Sequence, residues 1–281
     1  MKKEFILKTE LSKNSFALFF LGQVGFIIKY NDKYVLIDGY LSNYVDKNCS
    51  NENVKWIRNY PSPISSSELD FIDYVFCTHG HFDHADPYTL STICKINKKA
   101  KFFVPSPIKS TITSYGIEED RIIGISCEKE IALDESISVT SIPAAHEELH
   151  TDENGDFYEV GFKFRFGDST LFHGGDGCVY SGLAEKIGKS DIMILPVNGR
   201  DYYRTVVCDI IGCFDSTEAV MLAKECNCDL LIPSHFGLYN INTINPAEFV
   251  DKLFKINPEQ KFHIFAPGER YIYQKRSLTT L

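Results

Sequence analysis

The sequence predicts an α/β fold of stacked sheet and helix layers. Three observations carry this reading: three short apolar strands before residue 40, a strand entering a His/Asp-rich loop and then a helix at 73–96, and alternating strands and helices from 101 to 254. With 281 residues, 44% of them hydrophobic, the chain is large enough to bury a sizeable core and suits one domain, 1–281, or two tightly fused halves.

Residues 16–21, 26–30 and 34–38 are apolar runs, separated by the turn signals Gly22-Gln23-Val24-Gly25 and Asn31-Asp32. The texture then changes. Residues 42–70, with Asn48, Asn51, Asn53, Pro61 and Pro63, read as an excursion over the surface, and long loops of this kind often carry function. A strand over 73–77 leads into Thr78-His79-Gly80-His81-Phe82-Asp83-His84, and Pro87 suits the first turn of a helix over 87–96. Strands follow at 101–104, 137–142, 158–166, 170–173, 191–196 and 229–233, with helices at 107–115, 181–187, 216–226 and 246–254. No sequence repeat is visible.

The formal net charge of -9, from 29 basic and 38 acidic residues, leaves no basic footprint for a nucleic-acid partner. Nine cysteines without a C-x-x-C pair fit a reducing compartment, with Cys226 and Cys228 as packing residues. The apolar run 5–7 stops at Lys8, too short for a signal-peptide core, and the interrupted run 16–28 is too short to span a bilayer. The expectation is a cytoplasmic protein with no membrane partner.

His79, His81, Asp83 and His84 put four candidate metal ligands within six residues of a chain that has only 8 histidines. Residues 79 and 81 share one side of an extended segment, while 83 and 84 turn away at the helix start, so two metal positions are served. Catalytic zinc sites use about three protein ligands per ion and keep an open position, so a dinuclear site needs more imidazoles and a bridging carboxylate. His146, Asp176 and His235 each follow a predicted strand, where open α/β architectures gather their ligands.

This ordered pattern of H-x-H-x-D-H, a later His, Gly-Asp and a strand-ending His resembles the metallo-β-lactamase superfamily over residues 16–274. The resemblance implies a four-layer αββα sandwich of two mixed sheets. It also implies one metal on His79, His81 and His146, a second on Asp83, His84 and His235, and Asp176 bridging them. Asp38 matches the family's first acidic motif and is expected to hold the ligand loop by hydrogen bonds. Leu21-Gly22, Phe172-His173-Gly174-Gly175-Asp176, Asn198-Gly199-Arg200-Asp201 and Ile232-Pro233-Ser234-His235 are similar to L-ascorbate-6-phosphate lactonases and their bacterial relatives. That implies a lactonase acting on a small phosphorylated sugar-acid lactone, and a homo-oligomer.

Two divalent ions, zinc or manganese with iron also accommodated, would lower the pKa of a shared water from ~15.7 toward ~7 and polarise the attacked carbonyl. Asp83 or Asp176 would relay the proton. Arg200 with Asn198, and then His173, are the expected substrate contacts, since a guanidinium matches phosphate geometry. A phosphodiesterase or nuclease of the same fold is the alternative, opposed by the acidic balance, and a non-catalytic metal-bound sensor is another, opposed by the full ligand set. A β-lactamase is disfavoured because Asp176 stands where a thiolate ligand is expected. Ala85-Asp86-Pro87 lacks the glycines of glyoxalases and homoserine-lactone hydrolases, and His81 replaces the Glu of diiron oxidoreductases.

Overall fold

The computed structural model describes residues 1–275; residues 276–281, the end of the expected domain, lie outside the described residues. Strands β1 (Ser15–Gly22), β2 (Gly25–Tyr30), β3 (Lys33–Ile37), β4 (Tyr74–Phe76), β5 (Lys101–Pro105) and β6 (Ile122–Ile125) lie side by side in one sheet. A second sheet holds β7 (Glu130–Ala132), β8 (Ile137–Pro143), β9 (Val160–Phe166), β10 (Ser169–His173), β11 (Ile192–Pro196), β12 (Leu230–Ser234) and β13 (Lys261–Phe262). The last strand, β14 (Arg270–Gln274), returns to the first sheet beside β1.

Both sheets are mixed, and in the same way. In the first, β14/β1, β1/β2 and β2/β3 pair antiparallel, and β3/β4, β4/β5 and β5/β6 pair parallel. In the second, β7/β8, β8/β9 and β9/β10 pair antiparallel, and β10/β11, β11/β12 and β12/β13 pair parallel. One topology is used twice, although no repeat is visible in the residues.

The period of two along a strand explains the layering. Phe16, Leu18 and Phe20 of β1 face the second sheet and join Phe162, Phe164 and Phe166 of β9 in the inter-sheet core. Ala17, Phe19 and Leu21 face outward and meet Leu90 and Ile93 of α3 (Pro87–Ile96) and Ile112 of α4 (Lys109–Ser114). On the far side, Met193 and Leu195 of β11 pack on Val220 of α6 (Ser216–Glu225) and on Phe249 and Leu253 of α7 (Pro246–Ile256), with Leu183 of α5 (Leu183–Ile187) nearby. Strands covered on both faces read as continuous apolar runs, which is why these were visible in the sequence. The result is an αββα sandwich of two mixed sheets.

The short helices α1 (Lys3–Leu7) and α2 (Tyr44–Asn48) and strands β6, β7, β13 and β14 were not expected from the sequence. The polar stretch 42–70 is less superficial than its composition suggests: it buries Val45, Val54, Ile64 and Leu69. Tyr239 fastens it to the loop after β12, donating from its hydroxyl to Asp46 Oδ2 at 2.8 Å while Trp56 packs edge-on against its ring.

Candidate metal centre

The site forms where the strands end. Asp38 follows β3, the 78–84 loop follows β4, His146 follows β8, Asp176 follows β10 and His235 follows β12. Asp38 and His235 both adopt left-handed backbone, with φ of 45° and 60°. Such conformations are uncommon for residues other than glycine, and they persist where the surrounding structure holds them.

Asp38 accepts from Thr78 N at 2.8 Å and from Thr78 Oγ1 at 2.7 Å, and pairs with His84 Nδ1 at 2.8 Å. That leaves His84 Nε2 facing inward, 3.3 Å from Asp176 Oδ2. Gly175, at φ 60°, lets Asp176 approach, because a Cβ there would lie 2.7 Å from the Thr78 Cβ.

Two groups of ligand atoms result. His79, His81, His146 and Asp176 offer atoms all within 4.8 Å of one another, and so do Asp83, His84 and His235. Asp176 Oδ2 lies 3.3 Å from His84 Nε2, 3.3 Å from His235 Nε2 and 3.9 Å from His146 Nε2, so one carboxylate faces imidazoles of both groups. A third group, Asp176, Cys213 and His235, brings in a buried thiol. Nothing in the sequence singled out Cys213 among nine cysteines.

Electrostatics fit a cation. Burial drives His79 well below its usual range and His146 down to about 4, which keeps both imidazoles neutral, the form that ligates metals. Burial alone would also lower His84, yet the Asp176, Asp83 and Asp38 carboxylates hold it well above its ordinary value. His235 is raised against burial by Asp176 and Asp83. Burial would raise Asp176, but His235 and His84 keep it well below the carboxylate range, and Asp83 is lowered by the same two imidazoles. The carboxylates and imidazoles thus each favour the other's charged form, a donor set that suits a divalent cation. Among the described residues His84 Nε2, His146 Nδ1 and Asp176 Oδ1 are buried without hydrogen-bond partners, a cost of about 1–3 kcal/mol each that ligation or water would relieve.

The cluster opens into a cavity of ≈ 190 Å³. His81, Asp83, His146, Asp176 and His235 line its floor; Val45, Trp56, Phe82, Ile210 and Ile211 form apolar walls, and Asp209 and Asn242 also border it. No Lys or Arg lines it among the described residues.

The three expected substrate contacts are not brought to this cavity. Arg200 is engaged elsewhere, its guanidinium donating to Glu218 Oε2 at 2.8 Å, Glu218 Oε1 at 2.6 Å and Cys213 O at 3.0 Å. Asn198 is buried behind the wall, donating to Asn242 Oδ1 at 2.9 Å. His173 is fully enclosed, with Nε2 2.8 Å from Val24 O and Nδ1 accepting from Gly175 N. Arg200 and His173 are consumed by the scaffold, and Asn198 spends its amide N–H on Asn242, fates that local sequence does not reveal.

An αββα sandwich with seven His and Asp side chains at its strand ends defines a metal-centre fold. The chain belongs to the metallo-β-lactamase superfamily: the family described as "Beta-lactamase superfamily domain" matches residues 34–236. It is similar to a UPF0173 metal-dependent hydrolase of Caldivirga maquilingensis, 25% identical over 255 residues that cover 89% of this chain and 94% of the relative. A UPF0173 metal-dependent hydrolase of Archaeoglobus fulgidus is 26% identical over 263 residues, covering 91% and 98%. Among solved structures, an isothiocyanate hydrolase from Delia radicum gut bacteria shares the fold with a TM-score of 0.71 at 20% identity, covering 91% of this chain and 98% of that one. Among the described residues no helix is long and apolar enough to cross a membrane.

Proposed function

We propose that the chain is a metal-dependent hydrolase that opens a small, uncharged lactone. The observation that carries this reading is the pairing of a seven-residue His/Asp cluster with a cavity walled largely by Val45, Trp56, Phe82, Ile210 and Ile211, which no Lys or Arg lines among the described residues. The hydrolase names of the two UPF0173 relatives support the reaction class. The phosphorylated substrate suggested by sequence loses its anchor, because Arg200 is tied to Glu218.

His79, His81 and His146 would hold one divalent ion, Asp83, His84 and His235 the other, and Asp176 would stand between them. Such ions supply Lewis acidity, lowering the pKa of water toward ~7 and stabilising negative charge that develops on an attacked carbonyl. Asp38 keeps His84 oriented through its Nδ1. Trp56, Phe82 and Ile210 exclude water around the substrate and strengthen the field of the floor carboxylates. Asp83, partly open to the cavity, is placed to carry a proton to the leaving alkoxide.

A hydrolysis panel with and without chelator tests this. Chelator-sensitive opening of unphosphorylated lactones, in preference to L-ascorbate 6-phosphate and bis-aryl phosphodiesters, is expected. Efficient cleavage of phosphodiesters or RNA, or no hydrolysis by fully metal-loaded protein, would overturn it.

A further inference from the structure

The β1–β2 turn contributes a side chain to this centre. Gln23, 1% exposed, sends its Nε2 to Asp83 Oδ2 at 3.0 Å and to within 3.2 Å of His235 Nε2. Its carbonyl oxygen accepts from His235 N at 2.8 Å, so the turn grips His235 by main chain and approaches its ring by side chain. Its own N–H donates to the Tyr60 hydroxyl at 3.4 Å. The backbone is left-handed here, with φ of 100° at Gly22 and 55° at Gln23.

A glutamine that only completed a hairpin would reach solvent, where an amide is hydrated at no cost. This one is buried against an ionised carboxylate, and that carboxylate decides its orientation: the NH₂ must face Asp83, since an amide oxygen there would oppose a carboxylate oxygen. Oε1 is therefore the atom left over, and it is buried with no partner among the described residues. An acceptor in that position calls for a donor that the described residues do not supply.

We propose that Gln23 is a positioning residue of the hydrolase. Nε2 holds Asp83 while the Gln23 carbonyl holds the His235 main chain, and Oε1 accepts a hydrogen bond from the water or substrate hydroxyl that enters the site. The proposal rests on the metal-centre reading above, and Gln23 acts on the Asp83, His84 and His235 half of it.

The test measures zinc affinity by chelator competition, together with kcat, KM and the melting of metal-free protein, for the wild type, Gln23→Met and Gln23→Glu. Gln23→Met keeps the length and removes both polar atoms. It should lose roughly 10 to 100-fold in affinity for the weaker-held ion, the range for residues that orient ligands, and lower kcat more than it raises KM. Gln23→Glu, of nearly equal size, sets an acceptor against Asp83 and should not restore affinity; should Gln23→Met fail to fold, this variant carries the comparison. In an Asp83→Asn background, Gln23→Met should cost less than it does in the wild type, because part of its effect passes through Asp83. Wild-type zinc affinity in both Gln23 variants, or a full additive loss on Asp83→Asn, overturns the proposal, as does a fall in metal-free melting with affinity intact. A wild type that retains no zinc at all overturns the metal-centre reading instead.

Discussion

Asp38 shows how much of the centre is held by residues that need not touch a metal. Its carboxylate takes the Thr78 amide, the Thr78 hydroxyl and His84 Nδ1, which fixes the direction of His84 Nε2. Asp38→Asn should reduce metal affinity or activity about 10 to 100-fold while leaving the fold intact, as read by chelator competition and circular dichroism. Gly175 has the opposite character, a position with no room. Gly175→Ala would set a methyl 2.7 Å from the Thr78 Cβ on a backbone of φ 60°, and should cost roughly 1–3 kcal/mol in urea unfolding. The seven His and Asp residues stood out in the sequence because four crowd into 79–84 and the others follow apolar strands. Gln23 and Cys213 did not: one reads as a turn residue and the other as one thiol of nine. The Gln23–His235 contact spans 212 positions, a distance over which no local pattern carries information.

At the scale of elements, α6 shows a helix start written in the sequence and a side chain whose partner was not. Asp215 accepts from Glu218 N, and the Glu218 side chain returns to Asp215 N, a reciprocal cap. Asp215→Ala should cost about 1 kcal/mol, measured by denaturant midpoint. Glu218 also receives Arg200, so Arg200→Ala should change stability by no more than about 1 kcal/mol, since the pair is part exposed, and should leave KM for lactones unchanged. A selective rise in KM for a phosphorylated lactone in Arg200→Ala would restore the phosphate anchor expected from sequence. The interior strands were legible because both of their faces are buried. Edge strands such as β13, two residues long, and β7, half exposed, lack that signal. The 42–70 stretch misled by composition, because its few apolar side chains, Val45 and Val54 among them, are spaced too irregularly to mark an element that walls the cavity.

Across the whole molecule, the inter-sheet core carries the loops that carry the site. Phe76, on the three-residue β4 just before the 78–84 loop, stacks on Phe103 at 4.6 Å and meets Phe162 and Phe164 edge-on at 5.1 and 4.9 Å. Phe76→Ala should cost about 3–5 kcal/mol and loosen metal binding with it, seen as parallel losses in the unfolding midpoint and in zinc retention. Ligands that bind only the folded chain stabilise it, so stripping metal should lower the melting temperature of the wild type. The repeated topology, three antiparallel pairs and then three parallel ones in each sheet, sets the strand ends of both sheets around one centre. Asp176 faces both ligand groups, and that is the centre's defining feature. The most direct test is elemental analysis of purified wild type, His81→Ala and Asp176→Ala prepared side by side: stoichiometric divalent metal is expected in the wild type and a marked loss in both variants, greater in Asp176→Ala, whereas unchanged metal in both would overturn the ligand assignment.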